Sequence, residues 1–185
     1  MRFFAFLSCV AFAAASAVAS LEERTLQICL LDDEATKLAN NFKSLILAYS
    51  KANAEAFLTK DFTDYSDSVN ELINNGCPDG PAKLGTPTFT SLSAFEAGQS
   101  SQPSIPFQIL NIWHGCRDVA LRWRSSAPGF VQPEQPVTGI IVLEVIPNGV
   151  FSAQPWLIKT VYSEFNSGAW LYDLNITTSS FCKTK

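Results

Sequence analysis

Val137-Thr138-Gly139-Ile140-Ile141-Val142-Leu143-Glu144-Val145-Ile146 is the stretch on which the fold turns. Apolar residues stand at both odd and even positions, so a strand here is apolar on both faces and must be covered on both. Helices can cover one face. The other needs more chain or a second subunit, which predicts a homodimer through the sheet. Working outward, further strands are expected at 106–114, 117–125, 155–164 and 169–175. The breaks between them are Ser125 to Pro136, Pro147-Asn148-Gly149 and Asn166-Ser167-Gly168, all turn-forming in composition.

The N-terminal half has a different period. Leu31, Ala35, Leu38, Phe42, Leu45, Ile46 and Tyr49 fall at helical spacing and predict a helix over 30–52. Asp32, Asp33 and Glu34 crowd its start, where the helix dipole favours negative charge. A shorter helix is expected at 53–59 with Asn53 as its cap, and another at 91–98 capped by Ser91 or Ser93. Between them, 61–67 reads as a first, polar strand and 74–88 as a loop. Gly98 to Pro106 reads as a second loop. Helices followed by a run of strands give an α+β fold: a long N-terminal helix and short helices packed on a strongly curved, mostly antiparallel sheet. Such a cone leaves an open mouth, and mouths of that kind hold pockets.

Composition narrows the function. The 185 residues carry a net charge of −4 with no basic run, which argues against nucleic acid as a partner. A single histidine, His114, excludes a multi-histidine metal site, and neither a metal nor a cofactor is expected. Arg2, the apolar run Phe3 to Ala15 and the small residues Ala17-Val18-Ala19 read as a signal peptide over 1–19, so the protein is expected to be secreted, with no membrane anchor. Residues 20–28 form an N-terminal extension, 29–176 the domain and 177–185 a C-terminal tail. Cys9 leaves with the leader, and Cys29, Cys77, Cys116 and Cys182 remain as two disulfides. Sequence cannot choose among three pairings; the expectation leans to Cys29–Cys77 with Cys116–Cys182. Zinc is disfavoured because no CxxC pair occurs. Asn175-Ile176-Thr177 is a glycosylation sequon.

Three strings carry a resemblance. They are Asp61-Phe62-Thr63-Asp64-Tyr65-Ser66-Asp67-Ser68, Pro106-Phe107-Gln108-Ile109-Leu110-Asn111-Ile112-Trp113-His114, and the run from Trp156 through Tyr162-Ser163-Glu164-Phe165-Asn166 to Trp170. Together with the order of elements, they resemble the nuclear transport factor 2-like superfamily, the cystatin-like cone, and within it a group of small secreted fungal proteins. The resemblance spans about Cys29 to Leu174. It implies a superfamily that hosts dehydratases, ketosteroid isomerases, polyketide cyclases and non-enzymatic association domains, and fold does not choose among them. The enzymes use a carboxylate or a histidine inside the cone.

The candidate catalytic groups are therefore Asp64, His114 and Glu164, none assigned. Alternation puts Phe62, Asp64 and Ser66 on one face, and Tyr65 with Asp67 on the other. A carboxyl in an apolar cone is pushed towards the pKa of a general acid–base. The competing reading is that Asp64 and Asp67 bond backbone donors, with Glu164 and Asn166 joining them in a structural network. His114 shares a face with Leu110, Ile112 and Cys116, and either enters a pocket or bonds a backbone group. Arg122 and Arg124 alternate with Leu121 and Trp123 and are expected outward. Candidate pocket residues are Tyr49, Asp64, Tyr65, Asp67, Trp113, His114, Trp123, Glu164 and Asn166. The chain then reads as a secreted, disulfide-stabilised, non-catalytic domain that binds a small apolar ligand or a protein, acting in host interaction. The alternative is a cofactor-free lyase or isomerase of the scytalone dehydratase or ketosteroid isomerase type.

Overall fold

A computed structural model describes residues 28–126, 131, 133–149, 151–176 and 182. The expected signal peptide lies outside the described residues, as does the C-terminal tail apart from Cys182. Two helices lead, α1 (Asp32–Leu47) and α2 (Lys51–Phe57), followed by β1 (Leu58–Tyr65), α3 (Asp67–Ile73) and α4 (Leu92–Gln99). Then come β2 (Gln108–His114), β3 (Asp118–Ser125), β4 (Val137–Pro147), β5 (Trp156–Phe165) and α5 (Ser167–Asp173). The sheet order is β1-β5-β4-β3-β2; β1 runs parallel to β5 and every other pair is antiparallel.

Alternation sorts the sheet into two faces. Val119, Leu121 and Trp123 of β3, Ile141, Leu143 and Val145 of β4, Ile158 and Val161 of β5 and Phe62 of β1 are buried. They meet Ala35, Leu38, Ala39, Phe42 and Leu45, the apolar stripe of α1. Leu31 falls outside that stripe: it is the residue before α1, is exposed, and its N–H donates to the Glu34 carboxylate at 3.0 Å.

Four local expectations are corrected. Ser50, not Asn53, caps α2, accepting from the Asn53 N–H. β1 starts and ends earlier than expected, because the Ser66 hydroxyl accepts from the Val69 N–H and starts α3 at Asp67. The expected strand at 169–175 is α5: Asn166-Ser167-Gly168 reads as a turn, but the Asn166 carboxamide accepts from the Ala169 N–H at 3.0 Å and caps a helix. The disulfides are Cys29–Cys116 and Cys77–Cys182. Leu30 N–H bonds to Cys116 carbonyl, which lays the chain before α1 beside the turn after β2 and brings Cys29 to Cys116. With sequence separations of 87 and 105, each link is worth on the order of 4 kcal/mol on loop-closure grounds.

Candidate functional site

Strand β1 is an edge strand, and Asp64 lies near its end. Its N–H donates to the Phe89 carbonyl at 2.9 Å, and its carbonyl accepts from Thr88 at 2.8 Å, so the Thr88–Phe89 segment covers the edge. The side chain points inward, as alternation from Phe62 requires, and is buried. Its Oδ1 has no hydrogen-bond partner. Burial, and secondarily the Glu164 charge, push the Asp64 pKa up to about 7. This is the charge state a general acid–base needs at neutral pH.

Glu164 faces the other way. Its carboxylate accepts from the Asp67 N–H at 2.9 Å and from the Ser68 N–H at 3.0 Å, and it takes the Ser68 hydroxyl proton as well. Ser68 Oγ accepts in turn from the Phe165 N–H. The carboxylate thus closes the start of α3, where unpaired amides and the dipole favour an anion. Asp67 accepts from Gly85 N–H and holds the loop after α3. Asn166 is spent on capping α5. Asp67, Glu164 and Asn166 are therefore all engaged with backbone amides.

His114 lies on the helix side of the sheet, paired in register with buried Val119, but at the rim. Its Nε2 is 2.8 Å from Asp32 Oδ1 and its Nδ1 2.9 Å from Gly115 carbonyl. Both partners are acceptors, so the ring holds two protons best, and the Asp32 hydrogen bond leads in raising its pKa. The structure does not bring His114 and Asp64 together: they lie on β2 and β1, the two opposite edges of the sheet.

Aromatic rings occupy the interior. Trp123 stacks on Phe107 at 4.6 Å and meets Phe165 and Trp170 edge-on. Phe95 meets Phe62, Phe89 and Tyr49 edge-on. Gly139 makes room for this packing: a Cβ there would sit 2.6 Å from Glu164 carbonyl and 2.8 Å from Trp123 Nε1. A cleft of about 240 Å³ lies elsewhere, between α1 and the β4–β5 connection, lined by Asp33, Lys37, Asn41, Gln154 and Trp156. Its Lys37 and Asn41 already bond Ala153 and Gln154.

The remaining pocket candidates, Trp113 and Tyr65, sit on the opposite side of the sheet. Register places Tyr65, Tyr162, Val142, Ala120 and Trp113 in one row across all five strands, on the outer face. Tyr65 is 38%, Tyr162 43% and Trp113 53% exposed, and the two tyrosine rings stack at 5.4 Å. Ile140, beside Tyr162, is also exposed. Tyr162, Val142 and Ile140 were not singled out from sequence. The alternation of 155–164 does place Tyr162 opposite to Val161, but which outward residues line up across strands is set by register.

Asn175, the sequon residue, is exposed just after α5 with φ of 57°. Thr177 lies outside the described residues. Among those residues, no cluster of three His, Cys, Asp or Glu side chains is placed to ligate a metal, and no helix is long and apolar enough to cross a membrane.

Residues 28–177 match the model of the NTF2-like domain family. No curated protein matches the sequence. Among solved structures the chain is similar to a proposed polyketide cyclase of Bacillus cereus ATCC 10987, at 13% identity and a TM-score of 0.53, covering 77% of this chain and 81% of that one. It is also similar to IdmH, a proposed polyketide cyclase of Streptomyces antibioticus, at 11% identity and 0.51, covering 77% and 99%. The Kfla4162 protein of Kribbella flavida is similar at 12% identity and 0.50, covering 75% and 95%. At such identities the likeness is one of fold, and fold, sheet order and family match converge: the chain belongs to the NTF2-like family.

Proposed function

We propose that this protein is a secreted, non-catalytic interaction domain whose working surface is the outer face of its sheet. The observation that carries this reading is the row from Tyr65 to Trp113, with three large aromatic side chains left in water. A contiguous apolar patch on a folded domain marks a contact surface, and Tyr and Trp are the residues that dominate such contacts. The interior supports the same reading, because the rings of Trp123, Phe107, Phe165 and Trp170 pack against one another there. Secretion is supported by the leader-like first 19 residues and by two disulfides, which persist in oxidising compartments.

Native mass spectrometry of the protein recovered from its medium tests the proposal. The expected spectrum shows a polypeptide-bound species that is lost in Trp113→Asp and Tyr162→Asp. A small organic adduct that survives in both and disappears in Asp64→Asn overturns it.

That outcome would favour a second reading, a small lyase or isomerase built on Asp64. One observation supports it: a buried carboxyl with an unpartnered oxygen, pushed up to about 7. Turnover of any polyketide-like substrate that falls at least a hundredfold in Asp64→Asn, with the fold intact by circular dichroism, would establish it. Turnover unaffected by the substitution would remove it.

A further inference from the structure

The outer face is not flat. Its central row runs Tyr65, Tyr162, Val142, Ala120 and Trp113 from β1 to β2. Val142 and Ala120 are the smallest of these and half-buried, while Tyr162 and Trp113 on either side of them stand in water. The two middle strands, β4 and β3, therefore floor a trough that Tyr162 and Trp113 wall. The trough continues along the strands. At one end its floor is Glu144 and Asp118; towards the other it is Ile140 with Arg122, then Thr138 with Arg124, all exposed. The ends differ in charge. Arg117 lies beside Asp118 and Glu144 and offsets one of the two carboxylates, which leaves that end acidic. Glu164, the acid flanking the other end, is committed to the start of α3, which leaves Arg122 and Arg124 there, the latter donating from Nε to Gln108 at 2.8 Å.

The width of the trough selects what fills it. Tyr162 and Trp113 are separated by the strand order β5-β4-β3-β2, a span of about 14 Å at about 4.8 Å per strand. An α-helix with its side chains is about 10–12 Å across, so one helix fills the gap between the two rings. An extended chain, about 4.8 Å wide, leaves most of it wet. A second copy centred on this face brings trough to trough and has no ridge to fill it. The charge order then sets the direction of the helix. Its N-terminus carries the equivalent of about +0.5 charge and its C-terminus about −0.5, so the first belongs at the acidic end and the second at the basic end. We infer that the partner on this face is an amphipathic helix of another protein, lying along β3 and β4 between Trp113 and Tyr162, with its N-terminus at Asp118 and Glu144 and its C-terminus at Arg122 and Arg124.

The inference rests on the interaction reading above and names its partner. It also accounts for the doubly apolar strand β4, whose Ile140 and Val142 are the outward half of that pattern and become the apolar floor under the helix. From the Asp118 row to the Arg124 row is about 20 Å, at about 6.8 Å per pair of residues along a strand. A helix of about 14 residues spans that length at about 1.5 Å per residue. Its anchors are the residues at i, i+3 or i+4, i+7 and i+11, the stripe by which a helix seats in a groove. A contact of this size lies at the lower end of specific interfaces, on the order of 1,000 Å², so the helix is expected to bind in the micromolar range.

A phage-displayed library of random peptides of about 14 residues, panned on the purified protein, tests it. The selected peptides are expected to carry the helical apolar stripe and to gain helicity by circular dichroism on binding. Ala120→Glu, which fills the floor of the trough, and Trp113→Ala, which removes a wall, should each weaken such a peptide at least tenfold with the fold intact. A proline at the centre of the peptide should weaken it about a hundredfold. A nitroxide at the peptide N-terminus is expected to broaden the NMR signals of Asp118 and Glu144 and to spare those of Arg122 and Arg124; the reverse overturns the assigned direction. Selected peptides that are apolar at every second residue, or that ignore both Ala120→Glu and Trp113→Ala, overturn the helix, as does a library that yields no binder. Sedimentation showing a dimer that no selected peptide dissociates assigns the face to a second copy and overturns it as well. The native mass spectrum judges the interaction reading separately: a bound polypeptide lost in Trp113→Asp sustains that reading without the helix, and a spectrum with no polypeptide on the face removes both.

Discussion

Trp113 and Trp123 stand on adjacent strands of one hairpin and have opposite fates. Trp123 is 3% exposed, stacked on Phe107 and ringed by Phe165 and Trp170; Trp113 is 53% exposed. The difference is one of parity. The bulge between Ile109 and Asn111 realigns β2, so Ile109 pairs with Trp123 on the inside and Trp113 pairs with Ala120 on the outside. The high aromatic content of the chain is thus two populations, one that builds the cone and one that is displayed, and substitution should separate them.

The largest effect is expected inside. Trp123→Ala removes a stacked ring from a packed site and should cost about 3–5 kcal/mol, whereas Trp113→Ala should change stability by no more than about 0.5 kcal/mol. Urea unfolding of both variants checks this. Equal losses would mean that the outer face is structural and would break the contrast. Gly139→Ala sharpens it: the added Cβ meets backbone at Glu164 and should cost about 1–3 kcal/mol without touching the outer face.

Next comes Asp64, the one acid on the inner face of β1. Its folded pKa of about 7 lies above the unfolded value of 3.8, so the folded state holds its proton longer. Stability is therefore highest below about pH 4 as far as this group is concerned, and falls as pH rises to about 7, where the buried carboxyl ionises. The full shift corresponds to a ceiling on the order of 4 kcal/mol, of which local opening to water recovers part. Asp64→Asn should accordingly raise the melting temperature by several degrees at pH 8 and by almost nothing at pH 4. A pH-independent difference would mean that Asp64 is solvated, and would weaken both the inner-face contrast and the catalytic alternative.

Much of the fold was legible because burial enforces period. The strands at 106–114, 117–125, 137–146 and 155–164 correspond to β2 to β5 within two residues, since each alternates or is apolar throughout. Two of the misread segments are where capping competes with turn chemistry. Ser66-Asp67-Ser68 and Asn166-Ser167-Gly168 contain the polar residues that favour turns, and the same side chains start helices when a third-residue amide is within reach. The disulfide pairing was illegible for a different reason: it depends on which loops the fold brings together, and β1 joining β5 in parallel is a long-range event. Asp64 was legible as an inward carboxyl from Phe62. The outer row was not, because alternation gives the side of each residue and only register gives its neighbours.

A smaller effect is expected at Glu164, where the two faces communicate. Glu164→Gln keeps the shape but removes the charge at the start of α3, at a cost of about 1 kcal/mol. It also removes the charge that adds to the raised pKa of Asp64. The variant should therefore be less stable than wild type, while its carboxyl at Asp64 titrates lower, as followed by carbonyl-labelled NMR. An Asp64 titration that does not move would show that burial alone sets it.

The smallest effect belongs to His114, which ties the rim of β2 to α1 through Asp32 at 2.8 Å. Its pKa is raised above 6.5, first by the Asp32 hydrogen bond and then by that of the Gly115 carbonyl. For a raised histidine the stabilisation is complete below the unfolded pKa and is lost as pH rises through the folded one. The group is open to solvent, so salt screens the pair, and the nearby Cys29–Cys116 link already fixes the two segments. His114→Gln should thus lower stability slightly at pH 5 and leave it unchanged at pH 8.5, the opposite sign of pH dependence from Asp64→Asn. Because the chain has one histidine, its ring protons report the titration directly by NMR. A His114 pKa below 6.5, or one that does not fall in Asp32→Asn, would show that the rim pair is absent in solution and would put the ring at the mouth of the cone, free to meet a ligand.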